Sequence, residues 1–266
     1  MIDFFINLSP IYQALIAGIF TWSVTLLGAA VVIFFKKTND TFMDSMLGFS
    51  AGVMIAASFF SLIEPAIEMA ESLHSISFLV VSIGFLLGVL LLYLSDLLFN
   101  YIDRRREANT TDRKKRCIML ITSITIHNIP EGLVMGVGFG SLVYNITGSS
   151  LMSALTLALG IGIQNFPEGC AVSLPLRREG YSRFKAFFIG QLSAIVEPIC
   201  AVLGAILVIK IKFILPYLLA MAAGAMFYVA VGDLIPESQK NKNRTLMTIV
   251  TLIGFTIMML LDVGLG

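Results

Sequence analysis

Charged residues are scarce in this chain. Lysine, arginine, aspartate and glutamate together make up 13% of its 266 residues, whereas 57% of the residues are hydrophobic. Ordinary soluble domains carry about a quarter charged residues, so the composition argues against that class. The net charge of +1 gives no indication of a nucleic-acid partner. We therefore predict a membrane protein.

Cysteine motifs and nucleotide-binding motifs are also missing. The three cysteines, Cys117, Cys170 and Cys200, lie in apolar segments without CxxC spacing. This pattern argues against a disulfide framework and against a thiolate zinc site. No P-loop is present, so we expect no nucleotide partner and no ATP drive.

Long apolar runs dominate what is present. A helix of about 20 residues crosses the hydrocarbon core of a bilayer, and runs of roughly this length cover residues 10–35, 42–63, 76–99, 117–140, 149–176, 183–210, 213–235 and 246–265. The first run has no basic segment before it and is of full length, so we interpret it as a membrane span and not as a signal peptide. The sequence predicts an all-α membrane protein with eight transmembrane helices in one domain, residues 1–266.

The basic residues alternate between loops. Sixteen of the eighteen lysines and arginines lie in the first, third, fifth and seventh loops, and the other two lie in the sixth. Because basic loops are retained in the cytoplasm, both termini are predicted to be extracytoplasmic. A missed or invented span would disrupt this alternation.

Two segments in opposite halves of the chain are similar. AGVMIAASFFSLIEPAIE (51–68) and AGAMFYVAVGDLIPES (223–238) both begin with Ala-Gly and reach Leu-Ile with an acid and a proline. The predicted topology makes them antiparallel, which is typical of inverted repeats with a binding site near the midplane. We expect spans 1–3 and 6–8 to be related around a central antiparallel pair, spans 4 and 5. Chance similarity between two segments rich in small residues is the alternative.

Polar residues interrupt the central apolar runs. HNIPEG (127–132) in span 4 returns as QNFPEG (164–169) in span 5, and span 6 carries a glutamate directly before a proline. Positions i and i+4 lie on one helix face, so the histidine and the glutamate of the first motif point the same way. The predicted metal-binding residues are His127, Asn128, Glu131, Gln164, Asn165, Glu168 and Glu197.

A bound cation explains these embedded carboxylates most simply. Each isolated charge in a membrane span costs about 2.5–3.5 kcal/mol, and no lysine or arginine lies at the same depth. Carboxylate, imidazole and amide ligands suit Zn²⁺, Fe²⁺, Mn²⁺ or Cd²⁺. Pro130 and Pro167 each remove a backbone donor, so we predict a helix kink with a freed carbonyl at each motif. Gly132 and Gly169 would let a neighbouring helix or the ion come close.

Further acids lie near the ends of spans. Asp96 is near the cytoplasmic end of span 3, and Asp262 is near the outer end of span 8. Asp233 and Glu237, at the cytoplasmic end of span 7, are candidates for the transport route. For all four acids, an interfacial or helix-capping position is the alternative.

The segments HNIPEGLVMGVGFG, QNFPEGCAVSLPLRREG and GQLSAIVEP resemble the ZIP family of divalent-metal transporters, particularly its GufA-like branch. The resemblance covers the whole chain. It implies a secondary carrier, not an enzyme, that moves Zn²⁺, or alternatively Fe²⁺, Cd²⁺ or Mn²⁺, into the cytoplasm by alternating access. It also implies that spans 1, 4, 5 and 6 move against spans 2, 3, 7 and 8, and that the protein is a homodimer. We expect the protein to lie in a bacterial inner membrane, in contact with lipid.

The family pattern further implies two adjoining metal positions. One is formed by His127, Glu131, Gln164 and Glu168. The other is formed by Asn128, Asn165 and Glu197, and it shares two glutamates with the first. Many family members have histidine at the position of Gln164, and some have aspartate at that of Asn165. These departures leave the preferred metal open, as well as whether one or two ions bind. The ion is expected as cargo and not as a cofactor.

Two other functions stay open at this point. A proton-coupled carrier of a small organic solute would titrate its embedded acids without binding metal, and it would need a roomier polar pocket. An intramembrane metalloenzyme would need an activated water beside a metal, typically from HExxH. The chain has only two histidines, and one of them, His74, lies in a predicted loop.

Overall fold

The structure is a computed structural model that describes residues 5–34, 40–106, 112–144, 147 and 149–265. Across these residues the regular structure is helical, and no β-strand is found among them. The predicted all-α fold class is therefore confirmed.

The helices lie close to the predicted runs. In chain order the α-helices are α1 (Pro10–Phe34), α2 (Asp40–Ala57), α3 (Glu64–Ser72), α4 (Ser77–Arg106), α5 (Asp112–Ser141), α6 (Leu151–Arg178), α7 (Arg183–Leu192), α8 (Val196–Lys210), α9 (Leu215–Val229), α10 (Ile235–Ser238) and α11 (Arg244–Leu265). The π-helical segments Ser58–Ile63 and Ala230–Leu234 join α2 to α3 and α9 to α10. Short 3₁₀ turns cover Leu142–Tyr144 and Lys212–Ile214.

Within the described part of the chain, six helical stretches are long and apolar enough to cross a membrane. They are Pro10–Phe34, Asp40–Ser72, Ser77–Leu98, Arg183–Lys210, Lys212–Ser238 and Arg244–Gly264. The other two long helices, α5 and α6, carry the polar HNIPEG and QNFPEG motifs. Both helices continue through their prolines, Pro130 and Pro167.

Proline divides the run at 183–210 into two helices. The chain turns at residues 193–195, between α7 and α8. Pro198 has no N–H to donate to the carbonyl of Ala194, and the Glu197 N–H donates to that carbonyl instead, at 3.0 Å. The turn puts Glu197 in the first turn of α8.

The helices pack chiefly in four pairs, which are α1 with α6, α5 with α8, α2 with α11, and α4 with α9. Two glycines mark close approaches in the central pairs. A Cβ at Gly132 would lie 2.5 Å from the Glu197 carbonyl oxygen, and one at Gly169 would lie 2.2 Å from that of Thr25. Real Cβ atoms do not approach other atoms so closely, so these positions require glycine.

The exterior of the helix bundle is apolar. Phe78 on α4 is 69% exposed and Leu260 on α11 is 63% exposed, whereas much of the buried core is alanine, with buried polar side chains between the central helices. Lipid-facing surfaces are apolar because the bilayer core offers no water to polar groups. This distribution is that of a protein embedded in lipid.

Two basic loops lie largely outside the described residues. They comprise residues 35–39 and 107–111, and the side chains of 102–106 and 112–120 are also outside the described part. The predicted orientation depends on these charges and stays a prediction.

Candidate metal site between the central helices

The seven predicted metal-binding side chains are all buried. None is more than 7% exposed, and Glu131, Gln164, Asn165 and Glu197 are completely buried. Helices α5 and α6 supply three residues each, and α8 supplies Glu197. Seven polar groups with so little access to water must find partners within the protein or in a ligand.

Glu131 and Gln164 join the two motifs directly. The Gln164 Nε2 donates a hydrogen bond to Glu131 Oε1 at 2.6 Å, from α6 to α5. The second carboxylate oxygen of Glu131 and the amide oxygen of Gln164 are buried without a hydrogen-bond partner. The repeated motifs therefore face each other, as their sequence predicted.

Glu197 is held by two donors on the same oxygen. Thr21 of α1 donates from Oγ1 to Glu197 Oε2 at 2.5 Å, and Asn165 donates from Nδ2 to the same oxygen at 2.8 Å. The other oxygen, Oε1, is buried and has no hydrogen-bond partner. The position of Glu197 in the first turn of α8 also stabilises its charge, because the N-terminal end of a helix is positive.

Glu168 receives a hydrogen bond from α2. Ser50 donates from Oγ to Glu168 Oε1 at 3.2 Å, and the same hydroxyl lies 3.4 Å from the carbonyl oxygen of Gln164. Ser50 and Thr21 are not among the predicted site residues. Nothing in the sequence distinguishes them from the many membrane-helix hydroxyls that bond only to their own backbone.

Asn128 stabilises the turn between α7 and α8. Its Nδ2 donates to the carbonyl oxygen of Ser193 at 3.0 Å, a carbonyl at the C-terminal end of α7. The Oδ1 of Asn128 is buried without a hydrogen-bond partner. The amide thus has a structural contact and an oxygen still available as a ligand.

His127 contacts span 7. Its Nε2 lies 3.1 Å from Asp233 Oδ2, and the Asp233 side chain is 44% exposed. Asp233 belongs to the π-helical segment Ala230–Leu234. The other predicted route residue, Glu237, is exposed and pairs with Lys240 at 2.5 Å. The structure thus brings Asp233, but not the Glu237 side chain, to the residues of the motifs.

Carboxyl groups and acceptor oxygens accumulate at this place. Glu131, Glu168 and Glu197 are all buried here. Five acceptor oxygens of the predicted set have no hydrogen-bond partner: Asn128 Oδ1, Glu131 Oε2, Gln164 Oε1, Asn165 Oδ1 and Glu197 Oε1. Buried acceptors that face no donor, beside carboxylates, suit a cation.

The geometry also limits which ligands an ion can use. Among the residues that the structure describes, no three side chains of His, Cys, Asp or Glu form a group that could hold a metal ion. Binding would therefore have to include amide oxygens or rotation of the carboxylates. The assignment of the seven residues as metal ligands stays a prediction.

Comparison with known proteins identifies the family of this chain. The sequence model described as ZIP Zinc transporter matches residues 103–262. The chain is 39% identical to Zinc transporter ZIP11 of Homo sapiens, over 97% of this chain and 98% of that protein. It is 33% identical to Zinc transporter ZIPB of Bordetella bronchiseptica, over 95% of this chain and 81% of that protein, and 32% identical to Zinc transporter GufA of Myxococcus xanthus, over 95% and 98%. These relatives are named as transporters and not as enzymes, and the six long apolar helices are those of an integral membrane protein. The chain belongs to the ZIP zinc transporter family.

Proposed function

We propose that the chain is a secondary carrier that moves Zn²⁺ into the cytoplasm by alternating access, with Fe²⁺, Cd²⁺ and Mn²⁺ as further candidate ions. The relatives that share nearly its whole length are named zinc transporters. In this proposal residues 1–266 form one domain with eight spans, α5 and α6 included. Both termini are extracytoplasmic, in a bacterial inner membrane.

The observation that carries the proposal is the set of buried acceptor oxygens between α5, α6 and α8. Three carboxylates lie there with unpartnered amide oxygens, and the apolar runs that contain them have no lysine or arginine at that depth. An embedded charge costs about 2.5–3.5 kcal/mol when it is isolated. A divalent ion would supply the positive charge and bind the unpartnered oxygens.

The ligands divide into the two positions that the family pattern implies. In the first, His127, Glu131, Gln164 and Glu168 would bind one ion. In the second, Asn128, Asn165 and Glu197 would bind another ion, which Glu131 and Glu168 would share. The 2.6 Å contact between Glu131 and Gln164 supports the first set, and the 2.8 Å contact between Asn165 and Glu197 supports the second.

The inverted repeat has two supporting observations. Helix α2 ends at Ala57 and helix α9 ends at Val229, each the same number of residues after the Ala-Gly step that begins at Ala51 or Ala223. A π-helical segment follows each of these two helices. The packing has the same symmetry if spans 1, 2, 3 and 4 are equivalent to spans 6, 7, 8 and 5. The pair α1–α6 (spans 1 and 5) then corresponds to α8–α5 (spans 6 and 4). The pair α2–α11 (spans 2 and 8) corresponds to α9–α4 (spans 7 and 3). Both observations favour two halves of opposite orientation around spans 4 and 5.

Relative movement of two parts completes the proposed cycle. Spans 1, 4, 5 and 6 would move against spans 2, 3, 7 and 8, which would form a more static part at the interface of a homodimer. The hydrogen bonds of Ser50 and the contact of Asp233 with His127 cross between the two groups. These contacts would change when the carrier changes conformation.

Wild-type protein in proteoliposomes provides the test. We expect external Zn²⁺ to reach a zinc-sensitive dye enclosed in the vesicles, well above the leak of protein-free vesicles of the same lipid. The same assay with Fe²⁺, Cd²⁺ and Mn²⁺ ranks the candidate ions. If no divalent ion moves under any gradient, the proposal fails and a carrier of a small organic solute takes its place.

Asp233 supports a cytoplasmic route, since its carboxylate contacts His127 and is also partly exposed. Asp233→Asn keeps the shape but removes a charge that would attract the departing ion. Two unit charges about 4 Å apart in water interact by about 1 kcal/mol, so we expect Zn²⁺ uptake to fall about fivefold. The control is Asp40→Asn, which removes an aspartate from an exposed pair with Arg178 and should change uptake by less than about twofold. Equal uptake by the two variants would exclude Asp233 from the route.

A further inference from the structure

Donors within the protein already compensate part of the negative charge of the site. Glu131 accepts a hydrogen bond from Gln164, and Glu197 accepts two, from Thr21 and Asn165. The second oxygen of each glutamate, Glu131 Oε2 or Glu197 Oε1, has no hydrogen-bond partner and stays available to an ion. Without the ion, the hydrogen bonds from the protein are the compensation that remains for these two carboxylates.

A carrier that works by alternating access has a step in which the site crosses without its ion. In that step the three buried carboxyl groups lose the positive charge of the ion, and hydrogen bonds from the protein lower the desolvation cost of each one that is ionised. Hydrogen bonds to a charged acceptor are among the stronger ones in proteins. The amide and hydroxyl donors are placed where this return step needs them.

We infer that Thr21, Asn165 and Gln164 hold the carboxylates of the site by hydrogen bonds while the carrier returns without its ion. The inference rests on the proposed carrier function and adds a role for specific residues. Thr21 is a positioning residue, since it acts on Glu197 and supplies no ligand in the proposed metal positions. Gln164 and Asn165 combine two roles, because the nitrogen donates to a carboxylate while the oxygen of the same amide is unpartnered.

Gln164 and Asn165, the two departures from the family pattern, have a physical consequence in this proposal. Histidine at position 164 or aspartate at position 165 would be a stronger metal ligand than an amide. Aspartate would remove the N–H donor to Glu197 and add a fourth carboxylate to the site. The amides of this chain thus favour the return of the carrier at some expense of ion binding.

Two transport modes separate the return step from the loaded step. Net uptake into vesicles that contain only a chelating dye needs the return of the unloaded carrier. Exchange of external radiolabelled Zn²⁺ for unlabelled Zn²⁺ inside the vesicles needs only the loaded carrier. A residue that acts in the return step must therefore change net uptake much more than exchange.

Thr21→Val keeps the shape of the side chain and removes its hydroxyl donor. We expect net Zn²⁺ uptake to fall about tenfold or more and exchange to fall less than about twofold, because one hydrogen bond to a charged group is lost in the return step. Thr21→Ser keeps the hydroxyl and should restore net uptake. The matched control is Thr25→Val, one turn further along α1, where the buried hydroxyl donates to the backbone carbonyl of Thr21 and to no carboxylate.

Thr21→Ala is the second variant, and it decides the question if Thr21→Val does not insert. It removes the same hydroxyl donor to Glu197 with a smaller side chain, so it must also reduce net uptake more than exchange. The inference is overturned if both modes fall equally in these variants, or if neither mode changes. Wild-type protein that moves Zn²⁺ in neither mode would instead refute the carrier function, and this inference with it.

Discussion

Replacing Glu131 or Glu168 by glutamine is expected to abolish Zn²⁺ transport. Both glutamates are assigned to both proposed metal positions, and both side chains are buried among α5 and α6. Glutamine has the same size and removes the negative charge that would balance the cation. Loss of residues that only support metal ligands costs about 10–100-fold in affinity or activity, so loss of a ligand should cost at least about 100-fold.

The measurement is Zn²⁺ uptake by proteoliposomes with equal amounts of inserted protein. Glu71→Gln is the control, because it removes an exposed glutamate at the end of α3, and it should transport like the wild type. Binding of Zn²⁺ to the detergent-solubilised variants, measured by calorimetry, separates lost binding from lost movement. Undiminished flux through either glutamine variant would rule out these carboxylates as ligands and favour the organic-solute carrier.

The positions of the buried polar residues could be predicted from the sequence because the membrane imposes strict rules. A carboxylate inside an apolar run is costly wherever the helix lies, so Glu131, Glu168 and Glu197 were recognisable without knowledge of the fold. The i and i+4 spacing and the repetition of the motif placed two such faces on adjacent helices. The contact between Glu131 and Gln164 realises that expectation.

The supporting contacts could not be predicted, because they depend on the register between helices that are distant in the chain. Thr21 is 176 residues from Glu197, and Ser50 is 118 residues from Glu168. A one-residue shift of either helix would turn these hydroxyls to another neighbour. The contact of His127 with Asp233 has the same origin, and it depends in addition on the π-helical segment that carries the aspartate.

Local backbone irregularities were also only partly visible in the sequence. The turn before α8 was not predicted, because residues 183–210 read as one apolar run, although Pro198 cannot donate to Ala194. Proline does not signal the π-helices, which begin before their following prolines, Pro65 and Pro236. A π-helix inserts one extra residue into a turn, and apolar composition alone does not distinguish it from an α-helix.

Gly132→Ala is expected to disable the carrier through packing alone. Gly132 lies against α8 at the residue that carries the third carboxylate, and an added Cβ would lie 2.5 Å from the Glu197 carbonyl oxygen and 2.9 Å from its Cα. Backbone atoms cannot rotate away, so α8 must shift and take the Glu197 side chain with it. Overpacking of this kind costs about 1–3 kcal/mol, and the displaced carboxylate should reduce Zn²⁺ uptake about tenfold or more.

Gly138→Ala on the same helix is the matched control, because its Cβ would meet atoms no closer than 3.5 Å. Alanine is a better helix former than glycine by about 0.5–1 kcal/mol, so this variant should be at least as stable as the wild type and transport equally. Thermal unfolding can be followed by the fluorescence of Trp22, the single tryptophan, whose indole N–H donates to the Gln191 carbonyl oxygen of α7. A Gly132→Ala protein with wild-type uptake and stability would contradict the close approach of α5 and α8. Loss of uptake in Gly132→Ala, together with normal uptake in Gly138→Ala, would show that transport depends on the position of Glu197 as well as on its charge.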